Sequence, residues 1–264
     1  MKIGFIGLGN MARAIIGGMT TKGGFLPEDI CGADVLQNVA DDAALTHFIS
    51  AGTSNSVVAK AADVLVLAVK PQYMDNALRT IKDEVKKECI IITIAPGKPI
   101  DYYEEAFGRK AKIVRCMPNT PALVGAGCTG YCYNENVTDE DLEIVTRILN
   151  SFGKAFEVPE ELMDVVVGIS GSAPAYVFMF IEALADAGVR EGMPRKKAYD
   201  FASQAVMGSA KLMVDKGEHP GVLKDMVCSP GGTTIEAVKV LENRAFRGAV
   251  MDAVEACVNR SREL

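Results

Sequence analysis

The run Asp63-Val64-Leu65-Val66-Leu67-Ala68-Val69 carries no charge after its first residue and is rich in β-branched valine. A segment with no polar face reads as a strand buried on both sides. Shorter runs of the same kind recur at Lys2–Ile6, Cys89–Ile94 and Lys112–Cys116, with Asp29–Ala33 and Gly127–Tyr133 as further candidates. Helical patterns fall around them, at Ala12–Thr21, Asn76–Lys87, Ile100–Phe107 and Asp139–Phe152. Alternation of this kind builds βαβ units and a mostly parallel sheet covered on both faces.

After about residue 158 the strand signal stops. Val177–Gly188, Arg195–Lys216, Gly221–Val227, Thr233–Leu241 and Arg244–Arg262 all read as helices. Met193-Pro194 and Ser229-Pro230-Gly231-Gly232 break them. Within Arg195–Lys216, Phe201, Ala205, Gly208 and Leu212 share one face. The small side chains of Ala202, Ala205, Gly208 and Ala210 allow close helix–helix approach. The expectation is an α/β domain over residues 1–157 and an all-α domain over residues 158–264 that packs on a copy of itself.

Composition narrows the function. Lys and Arg number 28 against 34 Asp and Glu, a net charge of −6, which argues against a nucleic-acid binder tracking phosphates. His47 and His219 are the only histidines, so no metal centre is expected. The seven cysteines form no C-x-x-C pair and point neither to a disulfide framework nor to zinc. Met1-Lys2 leads directly into the first strand without a signal-peptide pattern, and no apolar run approaches the ~18 residues of a membrane span. The expected setting is soluble, reduced and cytoplasmic.

The first motif with a chemical purpose is Gly7-Leu8-Gly9-Asn10-Met11-Ala12, a G-x-G-x-x-A that follows Ile6 at a strand end and opens a helix. Gly7 permits the tight turn, Gly9 lets the backbone approach a pyrophosphate, and Ala12 lets helix and strand pack closely. With its strand and helix flanks, the motif makes the first domain Rossmann-like and dinucleotide-binding. Asp34 lies 25 residues after Gly9, where an acidic residue accepts from the adenosine ribose of NAD, or is simply a solvated loop acid. No Arg follows it closely, so the choice between NADH and NADPH stays open.

Ala68-Val69-Lys70-Pro71, Ala95-Pro96-Gly97 and Met117-Pro118-Asn119-Thr120-Pro121 close later strands at the same carboxyl edge. Lys70 is a candidate cofactor contact or a solvated strand cap, and Asn119 a candidate contact on the nicotinamide side. In the helical part, Ser170-Gly171-Ser172 precedes a long apolar helix. Cys228-Ser229-Pro230-Gly231-Gly232-Thr233-Thr234 is a glycine-rich turn entering another. That turn presents N–H groups suited to a carboxylate or a phosphate, beyond what capping by Thr233 requires.

Together these residues resemble delta-1-pyrroline-5-carboxylate reductases. The resemblance covers essentially the whole chain: Ile3–Met11, Ala68–Pro71, Arg115–Pro121, Ser170–Tyr176 and, most specifically, His219–Ala237. It implies an α/β Rossmann-like N-terminal domain, an all-α C-terminal dimerisation domain, homodimers that in many members form larger rings, and NADPH- or NADH-dependent reduction of a cyclic imine to L-proline. Carried over, Thr234 hydrogen-bonds the ring nitrogen, and Gly231, Gly232, Thr233 and Thr234 hold the substrate carboxylate, with Ser172 and Glu160 nearby. Asn55, Ala68, Val69, Lys70, Pro71, Ala95 and Gly97 line the cofactor site with the Ile6–Ala12 turn. Two departures are visible. Pro96 and Lys98 flank Gly97, and Asp34 stands where many members carry Ser, Thr or Asn.

Two rival readings remain. A β-hydroxyacid dehydrogenase shares the Gly-Leu-Gly-x-Met pattern but needs a helix lysine, for which Lys211 is the one candidate. A non-catalytic dinucleotide-binding regulator would keep the fold without turnover. The Ser229–Thr234 loop weighs against both.

Overall fold

The computed structural model describes residues 1–107 and 111–263, which divide into two compact units, Met1–Ser172 with Cys257–Leu264 and Ala173–Ala256. The division falls later than residue 157, because the segment following the last strand packs within the first unit.

The first unit holds β1 (Ile3–Ile6), α1 (Asn10–Thr21), β2 (Ile30–Ala33), α2 (Gln37–His47), β3 (Ser50–Gly52), α3 (Asn55–Ala61), β4 (Val64–Leu67), α4 (Met74–Ile81), β5 (Ile90–Thr93), α5 (Ile100–Phe107), β6 (Lys112–Met117), β7 (Gly127–Tyr133), α6 (Asp139–Asn150), β8 (Gly153–Glu157) and the short α7 (Met163–Val166). The eight strands form one sheet in the order β3-β2-β1-β4-β5-β6-β7-β8, parallel except for the antiparallel β6–β7 pair. The chain runs outward from β1 to β3, then returns to β1's other side with β4. This makes β1–β4 the switch point at which open α/β sheets bind ligands.

Every residue of β1, β4 and β5 is buried, as the charge-free runs require. One face of the sheet packs Phe5, Ile15, Ile16, Met19, Val66 and Phe152, and the other packs Leu65, Leu67, Leu78, Ile81, Ile91 and Tyr103. Each fully buried aliphatic or aromatic side chain contributes about 1.5–3 kcal/mol, so two such layers suffice to hold a sheet of this size. The expected strands and helices of this unit are present with ends shifted by a few residues, except that the helix expected over Asn76–Lys87 is α4, which ends at Ile81. The strands β3 and β8 and the helices α2 and α3 had no counterpart in the sequence reading.

The segment after β8 passes through α7 and a single π turn, Val167–Gly171. The second unit contains α8 (Ala173–Arg190), α9 (Arg195–Lys216), α10 (Pro220–Val227), α11 (Thr233–Asn243) and most of α12 (Phe246–Arg262). Gly192, at φ +97°, turns α8 into α9, and the two helices pack around Ala185, Ala198 and Ala202. His219 caps α10, its Nδ1 accepting from the Gly221 N–H at 3.1 Å.

One stretch overturns an expectation. Glu160–Arg190 is helical, long enough and apolar enough to cross a membrane by length and composition, with mean hydropathy 1.6 and only 11% of its most apolar window buried. It contains no long uninterrupted apolar run because glycine, serine and proline are interspersed among its apolar residues.

Candidate cofactor and substrate site

The sheet register places the cofactor-side residues. Ile6 pairs with Ala33 and with Leu67, and Leu67 with Thr93, so β2, β1, β4 and β5 end level with one another. Gly7, Asp34, Ala68 and Ile94 therefore emerge along one edge. Each continues the ladder by one bond: Gly7 N–H to Ala33 O at 2.7 Å, Asp34 N–H to Gly52 O at 3.0 Å, Ala68 N–H to Ile6 O at 2.8 Å, and Ile94 N–H to Leu67 O at 3.2 Å. Gly7 has φ +91°, and a Cβ there would stand 2.8 Å from the Ala68 carbonyl oxygen, so both its backbone and its neighbour demand glycine.

Gly9 begins α1, and a Cβ there would meet nothing within 4 Å. The first turn of α1 has no acidic residue and no side-chain cap, so its leading N–H groups are open to an anion. Above this turn lies a cleft of about 470 Å³ that brings together seven of the expected residues: Gly7, Gly9, Asp34, Asn55, Ala68, Val69 and Lys70. A glycine cradle at a helix start, opening into a cleft at the switch point, fits a dinucleotide.

Other expected cofactor residues do supporting work. Ile6, Leu8 and Ala12 are buried, and Gly32 leaves room for Leu8, whose side chain a Cβ at Gly32 would strike at 2.6 Å. Asn10 is exposed on the first turn of α1, with Met11 half-buried beside it. Pro71 starts the 3-10 turn Pro71–Tyr73. Ala95 is buried, its N–H donating to Thr93 Oγ1 at 3.4 Å, while Thr93 donates to Tyr103 Oη at 2.6 Å. Burial pushes the Tyr103 phenol up to about 12, so it stays a neutral partner under the Ala95–Gly97 loop. Gly97 turns that loop at φ +74°.

Asn119 is committed inside the first unit. Its Nδ2 donates to the Ser170 carbonyl at 3.2 Å, and its Oδ1 accepts from the Cys128 N–H at 2.8 Å. Ser172 Oγ accepts from the Cys257 thiol at 3.1 Å, joining the end of α12 to the segment before α8. Glu160, expected near the substrate, accepts from the Ile100 N–H and from Arg115, each at 2.9 Å. It fastens the start of α5 to β6, and its buried partner Arg115 explains why a carboxylate sits there.

The sequence reading missed Ala33, Val35, Leu36, Tyr73, Asn76, Ala77 and Thr80 as cleft-lining residues. Val35 and Leu36 directly follow Asp34 and are exposed apolar residues. Asn76 and Thr80 are one helical turn apart on α4, and Asn55 Nδ2 donates to Thr80 Oγ1 at 3.1 Å. The i, i+4 spacing of two polar residues was the available signal.

In the second unit, Gly231 at φ +67° turns the chain into Gly232, whose N–H donates to Ser229 O at 3.0 Å. A Cβ on Gly232 would collide with Ser229 Oγ. Gly232 then stands as the N-cap of α11, with no side-chain cap and with Thr233 and Thr234 in the first turn. Their N–H groups and the half-buried Thr234 hydroxyl form a small donor set of the kind that holds a carboxylate. Lys211 is ion-paired with Asp215 on an exposed face of α9. Burial also raises the Cys116 and Cys132 thiols, Cys132 to about 12, so neither supplies a thiolate nucleophile.

A doubly wound sheet with a glycine cradle and an open cleft at its switch point defines a dinucleotide-binding oxidoreductase fold. Residues 2–97 match the family described as NADP oxidoreductase coenzyme F420-dependent, and residues 160–264 match pyrroline-5-carboxylate reductase dimerisation. The chain is 51% identical to pyrroline-5-carboxylate reductase of Escherichia coli (strain K12), over 100% of this chain and 98% of that one. The solved structure of a Coxiella burnetii pyrroline-5-carboxylate reductase superposes with TM-score 0.92 at 35% identity, covering 99% and 97% of the two chains. That of Plasmodium falciparum pyrroline carboxylate reductase with NADP bound gives 0.90 at 36%, covering 100% and 97%. The chain belongs to the pyrroline-5-carboxylate reductase family.

Proposed function

We propose that the protein reduces 1-pyrroline-5-carboxylate to L-proline with NADH or NADPH, the closing step of proline biosynthesis. The observation that carries this reading is the Gly231–Thr234 turn at the start of α11, in a chain whose first unit holds the dinucleotide cradle. When bound, the reduced dinucleotide supplies the hydride that saturates the ring's C=N bond. The Gly7–Ala12 turn holds the pyrophosphate on the first turn of α1. Gly232, Thr233 and Thr234 hold the substrate carboxylate through backbone N–H groups. The Thr234 hydroxyl hydrogen-bonds the ring nitrogen. A protonated imine is already electrophilic, so positioning and a fixed hydrogen bond supply the catalysis without an imidazole acid. Ala95, Gly97, Asn119, Ser172 and Glu160 act as positioning residues.

The helical residues form a homodimer, and the cell compartment is the cytoplasm. Support for the homodimer comes from the family description over 160–264 together with large apolar side chains left exposed on the second unit, among them Phe178, Met179, Phe201 and Met251. On this reading Glu160–Arg190 is apolar because a second copy covers it, not lipid. A ring of dimers, implied by the family resemblance, is read from the solution mass. The test of function is pyrroline-5-carboxylate-dependent oxidation of NADH and of NADPH by the purified protein; absence of turnover with both refutes the assignment. Turnover of a hydroxyacid instead would favour the dehydrogenase reading, and nucleotide affinity without turnover the regulator.

A further inference from the structure

The end of β2 carries a feature that bears on which dinucleotide the cleft accepts, and the inference rests on the cofactor site proposed above. Asp34 lines the cleft directly after β2. Its carboxylate is held at two points: Oδ2 accepts from the Leu8 N–H at 2.9 Å, and Oδ1 accepts from the Leu36 N–H at 3.1 Å. An ionised carboxylate has about four acceptor positions, so two remain for a ligand after these bonds are made. Both oxygens are fixed in place, and one is tied to the glycine-rich turn itself.

Among the described residues, no cation is seen to compensate for this charge at the strand end. The residues that follow are Val35, Leu36, Gln37 and Asn38. The nearest guanidinium along α1, Arg13, is spent elsewhere: its Nε donates to Leu8 O at 2.9 Å, its Nη2 donates to Val39 O at 3.0 Å, and its Nη1 pairs with Asp42. Lys70 is the one cation among the described residues lining the cleft, and it follows β4, which β1 separates from β2. Two strand spacings, roughly 10 Å, lie between those strands.

We propose that this chain selects NADH over NADPH, with Asp34 as the specificity-determining residue. The two vacant acceptor positions take the hydroxyls of the adenosine ribose. A 2′-phosphate brought to the same place meets a fixed negative charge and two apolar side chains instead of the cationic partners a dianion requires.

The test is the equilibrium dissociation constant of each reduced dinucleotide, measured by cofactor fluorescence without substrate. NADH is expected to bind at least about tenfold more tightly than NADPH at low ionic strength, with the gap narrowing as salt screens the repulsion. Asp34→Asn keeps one acceptor oxygen and removes the charge, and is expected to tighten NADPH binding while leaving NADH the same or weaker. Equal or tighter binding of NADPH by the unaltered protein overturns the proposal. So does a folded Asp34→Asn variant with an unchanged ratio. Should that variant not fold, the ratio of the unaltered protein and its salt dependence decide alone. Binding of neither dinucleotide overturns the cofactor site, and the preference with it.

Discussion

The two units treat their apolar residues in opposite ways. The sheet unit encloses them: β1, β4 and β5 are wholly buried, and two layers of side chains close over both faces. The helical unit buries a cluster of three alanines and leaves phenylalanines, methionines and valines exposed along α8, α9, α10 and α12. Both are built from sequences rich in apolar residues, so composition does not separate them. What separates them is whether the segment's own chain supplies the cover. A parallel sheet gains its covering helices from the crossover connections that make it parallel. An array of long helices gains none, and its apolar faces await a partner surface.

The largest expected effect tests the exposed half of that contrast. Phe178→Glu with Phe201→Glu places two charges on surfaces that the proposed homodimer buries, at a cost of about 4 kcal/mol or more to association. Light scattering is expected to show the mass falling to that of one chain. An unchanged multimer would mean these faces are free surface. On the enclosed side, Gly7→Ala forces a Cβ onto a backbone at φ +91° and against the Ala68 carbonyl. It is expected to cost about 2–3 kcal/mol, read as a fall in the thermal midpoint together with weakened dinucleotide binding.

Thr234→Ala compares the units by function. A loss of about tenfold or more in kcat/KM is expected with an unchanged thermal midpoint, the scale of one polar contact in a dry site. Unaltered kinetics would remove Thr234 from the mechanism.

The smallest effect concerns the capping box of α6, where Thr138 Oγ1 accepts from the Asp141 N–H and Asp141 accepts from the Thr138 N–H. Burial pushes the Asp141 carboxyl up, but Lys112 at 2.9 Å and the Thr138 N–H outweigh it and hold the carboxyl below its usual range. A carboxylate depressed in the folded state contributes stability that is fully present above its unfolded value near 3.9 and is lost as the pH falls through the folded one. Asp141→Asn is therefore expected to lower stability at neutral pH by about 1 kcal/mol and to make the acid limb of a stability–pH curve shallower. An acid limb as steep as before would show that Asp141 is not among the groups responsible.

Legibility from sequence followed the same division. Strands without a polar face were readable because burial on both sides leaves a charge-free run, as in Val64–Leu67. The edge strands were not. Ser50-Ala51-Gly52 has no apolar side chain larger than alanine, and Gly153–Glu157 is largely exposed, with Phe156 turned to solvent. At the site, Gly7 was visible because its backbone geometry demands glycine, and Gly9 and Asp34 because their spacing from it matches a dinucleotide-binding motif. Asn76 and Thr80 were not, because their i, i+4 spacing marks a shared helix face without marking the cleft that face lines. The positions of Asn119 and Glu160 were legible while their partners were not, since Ser170, Cys128, Ile100 and Arg115 come from distant stretches of chain.

The last eight residues give the chain a topology that its linear order conceals. Cys257 and Ser261 rejoin the first unit, with the Cys257 thiol on Ser172 and the Ser261 hydroxyl donating to Asp164 at 2.6 Å. The helical unit is thus an insertion fastened to its host by two crossings of the backbone. A single nick after Ser172 would leave the C-terminal strap still gripping the sheet unit, so excising the helices takes two cuts.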